Sequence, residues 1–110
     1  MATTTRKCLG QSNPNAATLT TLYTVPASTS AIVTTINVAN RSSTATTFRI
    51  SHALAGAGDD NKQYLYYDCG IGGNDVVQIT TAMPMATTDV LRVYATLATL
   101  AFAAYGEEIV

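Results

Sequence analysis

The sequence predicts an all-β fold, a single antiparallel β-sandwich of about seven strands, Ig-like or jelly-roll-like, with an extended N-terminal arm. Three observations carry this. Side chains alternate with a period of two through the last quarter of the chain. In Val90–Ala95, Leu91, Val93 and Ala95 point one way while Val90, Arg92 and Tyr94 point the other, and in Leu100–Tyr105, Leu100, Phe102 and Ala104 share a face. That period marks strands with one face in a core. Charged residues make up only 12% of the chain, and Thr and Ala together supply about a third of it, far above ordinary usage. Thr is β-branched and suits a pleated surface, and its hydroxyl keeps the outer face wettable. Finally, turn signals recur about every ten residues, the spacing of sandwich strands. A small closed barrel is the alternative.

The elements follow in order. Residues 1–15 lack apolar periodicity and contain Thr3-Thr4-Thr5 and Asn13-Pro14-Asn15, so they read as an extended arm, or a strand that depends on neighbours. Residues 16–110 form the sandwich domain, beginning with a strand over Leu19–Val25 that Pro26 stops by withholding an N–H. Ala31–Ala39 is the second strand, with Ile32, Ile36 and Val38 on one face and Val33 on the other. After the turn cluster Asn40-Arg41-Ser42-Ser43, Thr46–Ala53 turns Phe48 and Ile50 inward. The Gly- and Asp-rich run Ala55–Asn61 is a flexible loop. Strands over Gln63–Asp68 and Asp75–Thr81 flank the Gly70–Asn74 turn, and Met83-Pro84-Met85 separates the latter from the two final strands.

Charge excludes several function classes. The net charge is −1 and the six basic residues are scattered, with only Arg6-Lys7 adjacent, whereas phosphate binding needs clustered cations. Nucleic acid is therefore not an expected partner. Arg6-Lys7 is followed by Cys8-Leu9-Gly10-Gln11-Ser12-Asn13-Pro14 rather than the apolar core of a signal peptide, and no apolar run approaches a membrane span. Synthesis in a cytosol, with no membrane partner, is the expectation. Cys8 and Cys69 are the only cysteines. Without an export signal they are expected to be reduced, with a Cys8–Cys69 disulfide as the alternative.

The candidate sites are few. His52 is the only histidine, placed by alternation on the Phe48 and Ile50 face near a strand end. Ser51 beside it has no activating elbow, so a packed or interfacial histidine is the reading. Gly58-Asp59-Asp60-Asn61 offers loop oxygens but lacks the alternating acids and closing Glu of a calcium loop. Asn74-Asp75 and Thr88-Asp89 read as turn residues. No catalytic set, metal site or cofactor is expected. The aromatic cluster Tyr64, Tyr66 and Tyr67 is the one surface with ligand chemistry: Tyr64 and Tyr66 share a strand face, where paired tyrosines stack on a sugar or anchor an interface. Arg6 and Lys7 are candidate interface contacts. Exposed strand edges are normally guarded by Lys, Pro or inward charge. This chain has two lysines, Lys7 and Lys62, and few other guards, so its edges are expected to be covered by copies of itself or by a larger particle.

Leu9-Gly10-Gln11-Ser12, then Thr18–Pro26, Asn40-Arg41-Ser42, Asn74-Asp75, and the ending Asp89–Ala95 through Gly106-Glu107-Glu108-Ile109 together resemble small virion proteins of tailed bacteriophages and prophages. The resemblance runs over most of the chain from Leu9 onward. It departs at Thr87-Thr88-Asp89, where many such proteins carry Ala-Gly-Asp, a difference confined to turn geometry. What it implies is a β-sandwich built into a phage particle, on the tail, baseplate or fibre or as a head decoration, with no catalytic residues. The expected function is thus a non-enzymatic virion subunit, homo-oligomeric with a trimer favoured, contacting other virion proteins through strand edges, an apolar face and the arm. The alternative is a receptor-binding module recognising a host glycan through Tyr64 and Tyr66.

Overall fold

The computed structural model describes residues 3–110. Met1 and Ala2, the start of the segment read as an arm, lie outside the described residues. Eight strands run in order: β1 Thr4–Ser12, β2 Thr20–Thr24, β3 Ser30–Asn40, β4 Thr46–Ala53, β5 Tyr64–Ile71, β6 Val76–Met85, β7 Val90–Ala95 and β8 Leu100–Ile109. Two single 3-10 turns, Leu54–Gly56 and Asn61–Gln63, lie between β4 and β5. The strands form two antiparallel four-stranded sheets, β1-β8-β3-β6 (sheet A) and β2-β7-β4-β5 (sheet B). This interleaved order is that of a jelly roll, which decides between the two sandwich types expected. The closed barrel is set aside, because the strands divide into two separate ladders.

The core lies between the sheets. Phe48 of β4 meets Phe102 of β8 edge to face, with ring centroids 6.2 Å apart, across the two layers. Ile36, Ile50, Leu91, Leu100, Val33, Val38 and Val93 are fully buried around them. The alternation read in the last two strands holds: Leu91, Val93, Ala95, Leu100, Phe102 and Ala104 are all buried.

Three of the four differences from the expected elements share one cause. A β-bulge adds a residue to one strand and reverses which side chains face inward beyond it. In β3, Val33 pairs with Gly106 and Thr35 with Tyr105, so Thr34 is the extra residue. Val33 is therefore buried with Ile36 and Val38, and Ile32, expected inside, is half-exposed. In β1, Cys8 pairs with Tyr105 and Gly10 with Ala104, leaving Leu9 as the extra residue, turned into the core. That bulge hides the periodicity of β1. Thr4–Ser12 of the segment expected as an arm, or as a strand that depends on neighbours, is thus the additional strand β1, hydrogen-bonded along β8. In β5 the strand continues past Asp68, which adopts φ 51°, to Ile71. Met83-Pro84-Met85, expected as a separator, continues β6. That strand lies at the sheet edge, where a missing N–H is tolerated.

One lateral side of the sandwich is drawn together and the other is open. On the β1/β2 side, a Cβ on Gly10 would lie 2.1 Å from the Leu22 carbonyl oxygen, so only glycine allows the approach. Asn13 donates to the carbonyls of Ala98 and Leu100, and Arg41 donates to Asn13 Oδ1 and to the Ala98 carbonyl. On the other side β5 and β6 are both edges, and an apolar cleft of about 400 Å³ opens between them, lined by Ile36, Leu65, Tyr66, Ile79, Thr81 and Met83.

Candidate functional site

Sheet B presents an aromatic and charged cluster to solvent, placed there by the irregularity of β5. Phe48 pairs with Cys69, Ile50 with Tyr66, and Ser51 with Tyr64. β5 therefore gains a residue on either side of Tyr66, and the tyrosines separate. Tyr66 leans inward onto Phe48, centroid to centroid 6.4 Å, as part of the core margin. Tyr64 and Tyr67 meet instead, edge to face, with centroids 5.0 Å apart and rings at 89°. The expected Tyr64–Tyr66 pair is corrected to Tyr64–Tyr67, because the bulge reverses the strand's parity.

Arg49 organises this surface. It stands outward on β4, one residue past inward Phe48, opposite Tyr94 of β7. Its guanidinium lies 4.1 Å from the Tyr67 ring centre and 4.4 Å from that of Tyr94. Arg49 Nε donates to Asp68 Oδ1 at 2.6 Å and Nη2 to Oδ2 at 3.4 Å. The Tyr64 hydroxyl donates to Asp59 Oδ1 at 2.8 Å. Burial, then that bond, pushes the Tyr64 phenol above its ordinary pKa. Arg49 and Tyr94 were not singled out from the sequence, although alternation about Phe48 and Val93 already turns both outward. Their meeting depends on the β4–β7 register.

The loop beside the cluster is pinned. Gln63 Nε2 donates to the Gly58 carbonyl at 2.8 Å, and the Lys62 amide donates to Asp60 Oδ1. Arg92 donates to the carbonyls of Ala57 and Gly56. Buried Asp89 secures its start: Oδ1 accepts from the Ala55 amide, and Oδ2 accepts from the Ala86 amide and lies 2.8 Å from His52 Nε2. The run expected to be flexible is therefore tied at both ends and in its middle.

The other candidate residues lie apart from this cluster. Ser51 and His52 are consecutive in β4 and pair with Arg92 and Leu91. Neighbours in a strand point to opposite faces, so the hydroxyl and the imidazole do not converge. Asp59 accepts from the Tyr64 hydroxyl and Asp60 from the Lys62 amide, and among the described residues no three metal-ligating side chains gather. Arg6 pairs with Glu107 and Lys7 with Glu108 across β1 and β8. Cys8 and Cys69 are free thiols on β1 and β5, edge strands of different sheets, so the alternative of a disulfide is corrected. No helix among the described residues is long and apolar enough to cross a membrane.

Sheet A presents the opposite chemistry. Its outer face carries the cross-strand rows Cys8-Tyr105-Thr35-Thr80, Gln11-Ala103-Asn37-Gln78 and Ala101-Ala39-Val76. None of the side chains in these three rows is charged at neutral pH; the next row, Arg6-Glu107-Ile32-Pro84, holds the Arg6–Glu107 ion pair. The face continues into β6, an edge strand with no charged residue along its length. No family model matches this chain, and no curated protein matches it.

Proposed function

We propose that this chain is a non-enzymatic structural subunit of a tailed-phage virion, assembling with copies of itself and with other virion proteins. The observation that carries the reading is the uncharged stretch of sheet A's outer face from Tyr105 to Ala101, continuous with the edge strand β6, which carries no charge and a single Pro near its end. Small side chains and amides in register make a flat surface that a second sheet can approach closely. A free edge of unpaired N–H and C=O groups invites a further strand. Jelly rolls of this strand order build viral capsid domains, an analogy of fold that adds support without fixing the role. Because β1 is paired along its own β8, the contacts are assigned to the face and the edge rather than to a reaching arm. Arg6 and Lys7 belong to the end of that strand pair.

The test begins with the purified protein. Light scattering after size exclusion is expected to give a closed oligomer, with a trimer favoured. Ala103→Glu places a charge in the middle row and is expected to yield a folded monomer. Immunogold labelling of purified phage particles from the source culture then asks where the protein resides, and particles without label would overturn the virion reading. A wild-type monomer at all concentrations would overturn assembly through this face.

A further inference from the structure

The Tyr64–Tyr67 corner carries chemistry that a packing surface does not need. Tyr67 is 54% exposed, yet its ring is held in place. One side rests on the Arg49 guanidinium, itself sandwiched against Tyr94 and tied to Asp68, and the ring meets Tyr64 edge to face. An open aromatic face held rigidly loses little freedom when something stacks on it. With Asn61, the two perpendicular rings line an open cleft of about 470 Å³, within the range of small-ligand sites, roughly 300–1,000 Å³. The cleft borders the pinned loop, so Asn61 is positioned before any ligand arrives.

We propose that this cleft binds a neutral pyranose sugar. The apolar C–H face of the ring would stack on Tyr67, Tyr64 would wall one side, and the Asn61 amide would bond ring hydroxyls as both donor and acceptor. Charge selects the class. Asp68 already neutralises Arg49, and Asp59 and Asp60 offset Lys62 and Arg92 on the loop, so no excess of positive charge is left to draw an acidic sugar or a nucleotide phosphate. The inference is independent of the assembly proposal, since the cleft lies on sheet B and the uncharged face on sheet A. In an oligomer built through sheet A, the clefts would be displayed outward in several copies, and weak single contacts would add.

The experiment is a titration of the ¹⁵N-labelled full chain with maltotriose, cellotriose, triacetylchitotriose and adenosine monophosphate, each to 20 mM, followed by amide and tyrosine-ring shifts. One neutral trisaccharide is expected to perturb Asn61, Tyr64 and Tyr67 with a Kd in the micromolar to low millimolar range. Tyr67→Ala should weaken that binding at least tenfold, whereas Tyr67→Phe, which keeps the ring, should retain it. The Tyr67→Phe arm and the wild-type shift map decide the matter even if Tyr67→Ala fails to fold. No shifts with any trisaccharide, shifts mapping elsewhere, or binding of adenosine monophosphate alone would each overturn the proposal.

Discussion

The Tyr23 hydroxyl donates a 2.6 Å hydrogen bond to Glu108 Oε2, joining β2 of one sheet to β8 of the other across the closed side of the sandwich. Lys7 Nζ reaches the second oxygen of the same carboxylate at 3.2 Å. The bond from Tyr23 holds Glu108 below the ordinary carboxylate range, with Lys7 adding to it and burial opposing. Burial and the same carboxylate push the Tyr23 phenol far above its ordinary value, so it remains a donor through the alkaline range.

Removing that donor should weaken the sandwich in a pH-dependent way. Tyr23→Phe is expected to cost about 1.5 kcal/mol at pH 7, the usual worth of a hydrogen bond to a charged group. Because the folded pKa of Glu108 is depressed, its contribution is present above the unfolded carboxylate value, about 4.3, and is lost as pH falls through the folded one. Urea unfolding of both proteins at pH 7 and pH 3 checks this. A gap undiminished at pH 3 would contradict the assignment.

Asp89 should prove among the least replaceable polar side chains. Burial raises its pKa, but the bonds from the Ala55 amide, His52 and the Ala86 amide outweigh it and leave the carboxyl below its ordinary value. Asp89→Ala strands two backbone donors and an imidazole, and a loss of about 3 kcal/mol is expected. Wild-type stability should likewise fall as pH drops below about 3.9 and the carboxylate titrates. Hydrogen exchange at Ala55 and Ala86 should accelerate in the variant before global unfolding does.

At Gly106 the constraint is steric. A Cβ there would stand 2.0 Å from the Ile32 carbonyl oxygen, beside the Thr34 bulge. Gly106→Ala is expected to cost about 3 kcal/mol, the upper range of overpacking. Gly58→Ala, where a Cβ meets nothing within 4 Å, should change stability by less than about 0.5 kcal/mol. Thermal melts of the pair provide the contrast.

Thr88 offers a gain instead. It sits at φ 66° in the turn into β7, a left-handed conformation that costs a β-branched residue about 1–2 kcal/mol. Thr88→Gly relieves that strain, less the roughly 0.5–1 kcal/mol of extra chain entropy glycine gives up. A net stabilisation of about 0.5 kcal/mol, read as a higher Tm, is expected, and a lower Tm would show that the hydroxyl's bond to the Thr87 carbonyl matters more.

Strands with unbroken alternation are legible in the sequence. β4, β7 and β8 lie where Phe48, Ile50, Leu91, Val93 and Phe102 put them, and both Thr88 and Asp89 sit in a turn as read. What escaped were the positions where a strand carries one residue more than its neighbour. Leu9, Thr34 and the residues flanking Tyr66 each reverse inside and outside, and a single sequence does not reveal a bulge whose cause lies in the partner strand. The same limit explains the site. Tyr64 and Tyr67 were both in view, but which two tyrosines meet is decided by the β5 register, and the Arg49–Tyr94 stack by the β4–β7 register. The Asp89 tether, joining the two separated segments His52–Ala55 and Ala86–Asp89, left no pattern to read across them.

The interleaving of the strands also governs when the molecule can become itself. Among the described residues, only β4 and β5 are neighbours both along the chain and within a sheet. β8, drawn from Leu100–Ile109, lies between β1 and β3. Among these eight strands β8 is made last, so on the ribosome β1 must wait for its one partner, and β3, able to pair with β6, for the other of its two, with those rims bare meanwhile. Such non-local wiring makes for slow acquisition of structure and a long window of stickiness. Yield in a cell should consequently respond more to translation rate and chaperone supply than the stability of the finished sandwich would suggest.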